Sequence, residues 1–250
     1  MKPIYFISDA HLGAGTDARQ REQALCQLLY EVKDDAGMVV FLGDIFDFWF
    51  TYRYVVPRGH VRLLGAMAAL ADAGVELHFF IGNHDMWLFD YLTSEMKIFM
   101  HSEPAVIEYD GHTFYCGHGD GLGHLDKRYD IIKWIFRNPL NQRLFACLPS
   151  GLTFGIAQGW SRSSRKGHIK KNPQLFEYWG DDKEGIVIHC KEQLQHHHYD
   201  FCVFGHRHTQ VLRQLTLPDG RVSQYVNVGD WLSQRNYAVY HEGEIELRNY

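Results

Sequence analysis

The chain lacks any run of about 18 consecutive apolar residues, so no membrane-spanning helix is expected. It lacks a CxxC pair. Its cysteines, Cys26, Cys116, Cys147, Cys190 and Cys202, are odd in number and scattered, which argues against a disulfide scaffold and for reduced thiols in a cytosolic protein. It lacks a basic excess: 25 Lys and Arg against 30 Asp and Glu leave a net charge of −5, so no global field attracts nucleic acid. No internal repeat or low-complexity linker interrupts it, and the first residues enter a strand pattern without a secretory signal. What the chain has in quantity is histidine, 16 in 250 residues, and histidine is the commonest metal ligand.

The apolar pattern alternates between two periods. PIYFIS (3–8), MVVFL (38–42) and ELHFFI (76–81) read as buried strands. Between them, residues 20–33 align Ala24, Leu25, Leu28, Leu29 and Val32 on one helical face, and 60–73 form a second helix ending at Gly74. Near-continuous apolar strands separated by helices predict βαβ units and a sheet covered on both faces. AVIEY (105–109) and TFYC (113–116) flank Asp110-Gly111, a hairpin signal. FCVF (201–204), VLRQLTL (211–217), QYVNV (224–228) and YAVY (237–240) read as later strands. Residues 122–185 break this rhythm with helical, basic sequence. One α/β core, 1–121 plus 186–250, with an inserted helical cap over 122–185, is the economical organisation.

Most of the strands end in the same chemistry. Asp9-Ala10-His11 follows the first, Gly43-Asp44 the second, and Gly82-Asn83-His84-Asp85 the third. Gly117-His118-Gly119-Asp120 follows TFYC, and Gly205-His206-Arg207-His208 follows FCVF. Sites in open α/β sheets form at carboxyl ends of strands, so five segments deliver carboxylate, amide and imidazole to one rim. These ligand types suit two borderline divalent ions such as Mn²⁺, Fe²⁺ or Zn²⁺. Asp44 is placed to bridge them, with Asp9, His11 and His208 completing one site and Asn83, His118 and His206 the other. Two ions about 3.5–4 Å apart clamp a phosphate and acidify a water. The run His196-His197-His198 closes no strand and reads as a solvated helix end.

In this order the motifs DxH, GD, GNHD, GHGD and GHRH resemble the calcineurin-like metallophosphoesterase superfamily. The resemblance implies a two-sheet αββα sandwich with the metals at its rim. It also implies that His84 faces the phosphate, stabilising charge or protonating the leaving oxygen, with Asp85 placed to orient it and Asn83 touching substrate as well as metal.

The cap should choose the substrate. Residues 124–184 carry 11 Lys or Arg against 6 Asp or Glu, and WSRSSRKGHIKK (160–171) has no acid. Arg162, Arg165, Lys166 and Lys170 are suited to grip phosphate oxygens, and Ser163 adds a donor. Before them, Trp134, Ile135, Phe136, Leu140, Leu144, Phe145, Leu148, Leu152, Phe154 and Ile156 crowd short helices. They read either as an apolar groove for acyl chains or as a small internal core or dimer contact.

Asp126-Lys127-Arg128-Tyr129, FRNPLNQRLFACLP (136–149), IAQGWSRSSRK (156–166) and VNVGDW (226–231) resemble the UDP-2,3-diacylglucosamine pyrophosphohydrolases of lipid A synthesis. That resemblance implies a Mn²⁺-dependent enzyme on the cytoplasmic face of the inner membrane, a peripheral one, with no nucleic-acid partner. It would split UDP-2,3-diacylglucosamine into UMP and 2,3-diacylglucosamine 1-phosphate. Asn83, His84, Asp126, Arg162 and Ser163 would touch substrate. Well-known members carry arginine after the GN motif; this chain has His84, as a second branch does. The rival expectations are a soluble phosphodiesterase or nucleotide pyrophosphatase on the same metals, and a non-catalytic scaffold on the same fold. Oligomeric state is not legible in the sequence.

Overall fold

The computed structural model describes residues 1–123, 127–156, 159, 177–217 and 219–250, with side chains from 131 onward in the helix that begins at 127. The first half alternates strand and helix: β1 (Ile4–Ile7), α1 (Ala18–Val32), β2 (Met38–Phe41), α2 (Val61–Asp72), β3 (Glu76–Phe80), α3 (Tyr91–Met96) and β4 (Phe99–His101). A hairpin of β5 (Ala105–Tyr109) and β6 (His112–Gly117) follows, then α4 (Lys127–Arg137) and α5 (Pro139–Ala146). The chain closes with α6 (Gly185–Leu194), β7 (Phe201–Phe204), β8 (Gln210–Thr216), β9 (Val222–Val228), β10 (Asn236–His241) and β11 (Glu244–Asn249).

The strands make two sheets, ordered β11-β10-β1-β2-β3-β4 and β5-β6-β7-β9-β8. Strands β1 to β4 run parallel, as do β6, β7 and β9. Period-two alternation decides which layer each side chain joins. Ile4 and Phe6 point between the sheets, where they meet Met38, Val40, Phe114, Val203 and Val226. Tyr5 and Ile7 point outward, with Val39 and Phe41, under Leu25, Leu28 and Leu29 of α1 and Leu63 and Met67 of α2. On the other outer face, Ile186, Val187, Cys190 and Leu194 of α6 cover Tyr115, Cys202, Phe204 and Tyr225. Both sheets thus have both faces covered by apolar side chains, and the layers run helix, sheet, sheet, helix. A fully buried Leu or Phe contributes about 1.5–3 kcal/mol, so this layering holds the frame on which the strand ends sit.

Helices α4 and α5, with a helical stretch over 150–156, lie between the second sheet's hairpin and α6. Their apolar residues divide. Phe145 lies 4.6 Å, ring to ring, from Trp87, Phe136 5.4 Å from the same ring, and Phe154 5.0 Å from Phe48. Those three therefore pack on the core. Ile131, Trp134, Leu140, Leu144, Leu148, Leu152 and Ile156 remain exposed, Trp134 to 67%. The described part of 122–185 thus has inward aromatic packing and an exposed apolar surface.

One polar side chain braces the first loop of the frame. Arg21, on α1, is buried, and it donates from Nε to Ala10 O (3.3 Å) and from Nη2 to His11 O (3.2 Å) and Ala14 O (2.5 Å). Its Nη1 pairs with Asp17 at 2.5 Å. Three carbonyls of a tight loop thus accept from one buried guanidinium, with His11 O also accepting from Ala14 N at 3.0 Å. Replacing it by methionine keeps the bulk and removes the donors. Arg21→Met is expected to lower stability by about 2–3 kcal/mol in urea unfolding. A change within about 0.5 kcal/mol, typical of an ordinary surface site, would contradict this role.

Candidate metal centre

Five backbone turns bring the side chains to one rim, and three of them do so under strain. Asp9, His11, Asp44, His206 and His208 all have positive φ, from 42° to 67°. Such a conformation costs a non-glycine residue about 1–3 kcal/mol and persists only where the surroundings enforce it. Here they do. Asp9 N donates to Gly43 O (3.1 Å), His11 N to Asp44 O (2.9 Å) and Gly205 N to His118 O (3.1 Å), so each loop is bonded to its neighbour. Two glycines permit the close approach. A Cβ on Gly82 would collide with the Asp44 carboxylate, and one on Gly205 with Ser8 Oγ.

The side chains form two groups joined by one carboxylate. In the first, His208 Nε2 lies 3.2 Å from Asp9 Oδ1 and 3.4 Å from His11 Nε2, and His11 Nε2 lies 3.8 Å from Asp9 Oδ1. In the second, His118 Nε2 lies 3.2 Å from Asn83 Oδ1 and 3.2 Å from His206 Nδ1. Asp44 Oδ2 sits between them, 3.7 Å from His11 Nε2 and 3.4 Å from His118 Nε2. The seven residues named by the strand-end pattern are therefore gathered at one place.

The tautomers show what the groups are arranged for. His118 Nδ1 is 2.8 Å from Leu42 O, which can only accept, so Nδ1 carries the proton. A neutral ring then turns the Nε2 lone pair toward lone pairs of Asp44, Asn83 and His206. His208 Nδ1 likewise donates to Asp230 Oδ2 at 3.1 Å, which aims Nε2 at Asp9 and His11. Asp9 Oδ1 is buried and accepts no hydrogen bond among the described residues. Converging acceptors with no donor between them fit divalent cations.

Electrostatics point the same way. Burial pushes the Asp9 carboxyl up, but the adjacent His208 ring overrides it and holds it low. Burial likewise opposes ionised Asp44, and His118, His84 and His11 together pull it well below the carboxylate range. Burial disfavours charge on His118, yet Asp44 beside it raises it well above the usual imidazole value. His208 is lowered by burial but raised by Asp9 and Asp230, to about 10 on balance. His206, buried beside His118, falls to about 4. Two buried carboxylates thus demand positive charge, and bound cations would supply it in place of protons.

His84 stands next to this centre. Its backbone N–H donates to Asp44 Oδ1 (2.8 Å) and its ring lies edge-on to His11, centroids 4.7 Å apart. The expectation that Asp85 orients this ring needs correction. Asp85 turns away: Oδ1 accepts from Gly82 N (2.8 Å) and Oδ2 from Ile45 N (2.9 Å) and Phe46 N (3.4 Å). It ties the second strand-end loop to the third. Asp47 is the residue at the ring instead. Its carbonyl accepts from His84 Nδ1 at 3.0 Å, and its Oδ1 lies 3.6 Å from both His84 Nδ1 and His11 Nδ1.

Sequence reasoning missed Asp47, Asp230, Ser8 and Asn227. Ser8 Oγ donates to Asp9 Oδ2 at 2.5 Å, and Asn227 Nδ2 donates to Gly205 O at 2.6 Å. A signal for Asp230 existed: Gly229-Asp230 closes β9 as Gly43-Asp44 closes β2. The cap residues Asp126, Arg162, Ser163, Arg165, Lys166 and Lys170 lie outside the described residues.

Comparison with known proteins adds three findings. The Calcineurin-like phosphoesterase family matches residues 2–210. A protein of Porphyromonas gingivalis named UDP-2,3-diacylglucosamine hydrolase is 40% identical over 248 residues, covering 95% of this chain and 93% of its own. Proteins of the same name from Nitrosococcus oceani (29% identity; 91% and 86% covered) and Aeromonas salmonicida (28%; 97% and 91%) also align.

If Asp230 fixes the His208 tautomer for a cation, removing it should loosen the ion and leave the fold. Asp230→Ala is expected to weaken Mn²⁺ binding about 10–100-fold by calorimetric titration. Unchanged affinity would mean that His208 does not ligate through Nε2.

Proposed function

The chain belongs to the calcineurin-like phosphoesterases, and on that premise we propose that it hydrolyses the diphosphate of UDP-2,3-diacylglucosamine to UMP and 2,3-diacylglucosamine 1-phosphate, a step of lipid A biosynthesis. The observation that carries the reaction class is Asp44 Oδ2 set between His11 and His118, one oxygen shared by two groups of ligand atoms. The substrate rests on the 40% identity to a hydrolase of that name across nearly the whole chain.

Asp9, His11, Asp44 and His208 would hold one divalent ion, and Asp44, Asn83, His118 and His206 the other; manganese suits this oxygen and imidazole set. Bound there, the ions would acidify a water and draw charge from the phosphoryl oxygens. The remaining work belongs to the protein's own groups. Asp47 O takes the proton of His84 Nδ1, which leaves Nε2 as the nitrogen available for proton transfer. From there His84 offsets charge on the phosphoryl group and delivers a proton to the leaving oxygen. Asn83 adds its amide donor toward the same phosphate.

We take 122–185 as the substrate cap. Its exposed Trp134, Leu140 and Leu144 offer apolar surface to acyl chains, and Arg162, Arg165, Lys166 and Lys170 offer cations to the phosphates and Asp126 and Ser163 hydrogen bonds to the sugar. A substrate with two acyl chains resides in a bilayer, so the enzyme works at a membrane surface, the cytoplasmic face of the inner membrane. Among the described residues no helix is long and apolar enough to cross it, consistent with a peripheral attachment.

Hydrolysis in ¹⁸O-water with Mn²⁺ should place the label in UMP, because the attack is on the α-phosphorus, and chelation should abolish it. His84→Ala should reduce kcat by about 10²–10⁴ with little loss of bound metal. Label in the sugar phosphate would overturn the attack site. Faster turnover of a water-soluble diester than of the lipid would overturn the substrate.

A further inference from the structure

Outside the metal centre and the 122–185 segment, a further stretch of surface combines basic charge with exposed apolar side chains. Residues 48–71 contain three arginines and no acid, in a chain of net charge −5. Within them, Tyr54 is 83% exposed, and Val55 and Val56 are exposed beside it. Arg53 lies over the Tyr54 ring, 5.0 Å from its centroid, and the ion pairs among the described residues include neither Arg53 nor Arg58.

This tip is presented by fixed ends. Before it, Thr51 N donates to Trp87 O (3.0 Å) and Thr51 Oγ1 to Leu88 O (2.7 Å). After it, Pro57 is buried. Tyr52 OH and Thr153 Oγ1 are 2.5 Å apart, which sets the loop beside the helical stretch whose Leu152 and Ile156 are exposed. Uncovered apolar side chains held out between anchors, rimmed by arginine, are costly in water.

We propose that Tyr54, Val55 and Val56, with Arg53 and Arg58, form a docking element for an anionic bilayer. Its role follows from the lipid-substrate reading above: it would hold the cap's mouth against the leaflet that contains the substrate. The occupant is argued from charge and chemistry. A tyrosine with an apolar body and polar tip belongs at the headgroup level, the valines below it, and the arginines among lipid phosphates. The loop is distinct from the cap helices and from every residue assigned to catalysis.

The test is co-sedimentation of the metal-loaded protein with vesicles of phosphatidylcholine alone, or with part of it replaced by phosphatidylglycerol. Binding should favour the anionic vesicles and weaken with salt. R53Q/R58Q should lower the partition constant about 25-fold, or fivefold per arginine. Y54S/V55S should lower it about tenfold. Both variants should hydrolyse detergent-dispersed substrate as the parent does. Equal pelleting of parent and variants, or equal binding to neutral and anionic vesicles, would overturn the proposal. So would a dimer in sedimentation velocity that Y54S/V55S dissolves, because the tip would then be covered by a second copy. Pelleting is read without substrate, so a failure of the substrate reading would show in the hydrolysis assay alone.

Discussion

Asp9 and Asp44 carry two carboxylates into full burial, within a few ångströms of imidazole nitrogens that also offer lone pairs. Left alone, that arrangement opposes folding: buried charge is costly, and acceptors facing acceptors repel. Positive charge between them turns the same arrangement into attraction. Much else at this end of the sandwich serves that constraint. Leu42 O and Asp230 hold the outer nitrogens of His118 and His208, so that the inner ones face the carboxylates. Ser8 Oγ and His206 N occupy the far oxygen of Asp9, which leaves Oδ1 as the one that faces the histidines.

The frame makes the constraint tolerable. Five of the seven gathered residues adopt left-handed backbone, and none of those five is glycine. The strain is offset where rigidity is greatest, at strand ends whose preceding residues are buried on both faces. Arg21 fastens the first of these turns to α1, and Asp85 fastens the second to the third. Precision of ligand placement is thus a property of the core, and fold stability and metal binding are coupled through it.

Much of this was legible in the sequence, for definite reasons. Strands buried on both faces read as unbroken apolar runs, so β1, β2, β3 and β7 stood out, and a carboxylate or histidine shortly after each was conspicuous. Short or charged edge elements were not legible. β4 has three residues, α3 has six, and β11 hides its alternation among Glu and Arg. Asp85 misled because adjacency in sequence suggested contact with His84, whereas a tight turn sends successive side chains apart. Asp47, three residues beyond Asp44, reaches the ring because its loop folds back over the centre. The division of the 131–156 segment into packed phenylalanines and exposed residues such as Trp134, Leu140 and Leu144 could not be read from composition, since both classes are equally apolar.

The account rests on two cations sharing Asp44. Anomalous diffraction from crystals grown with Mn²⁺ tests this directly. The account predicts two peaks about 3.5–4 Å apart, both coordinated by the Asp44 carboxylate, one among Asp9, His11 and His208 and the other among Asn83, His118 and His206. A single peak, or two that do not share Asp44, would contradict it.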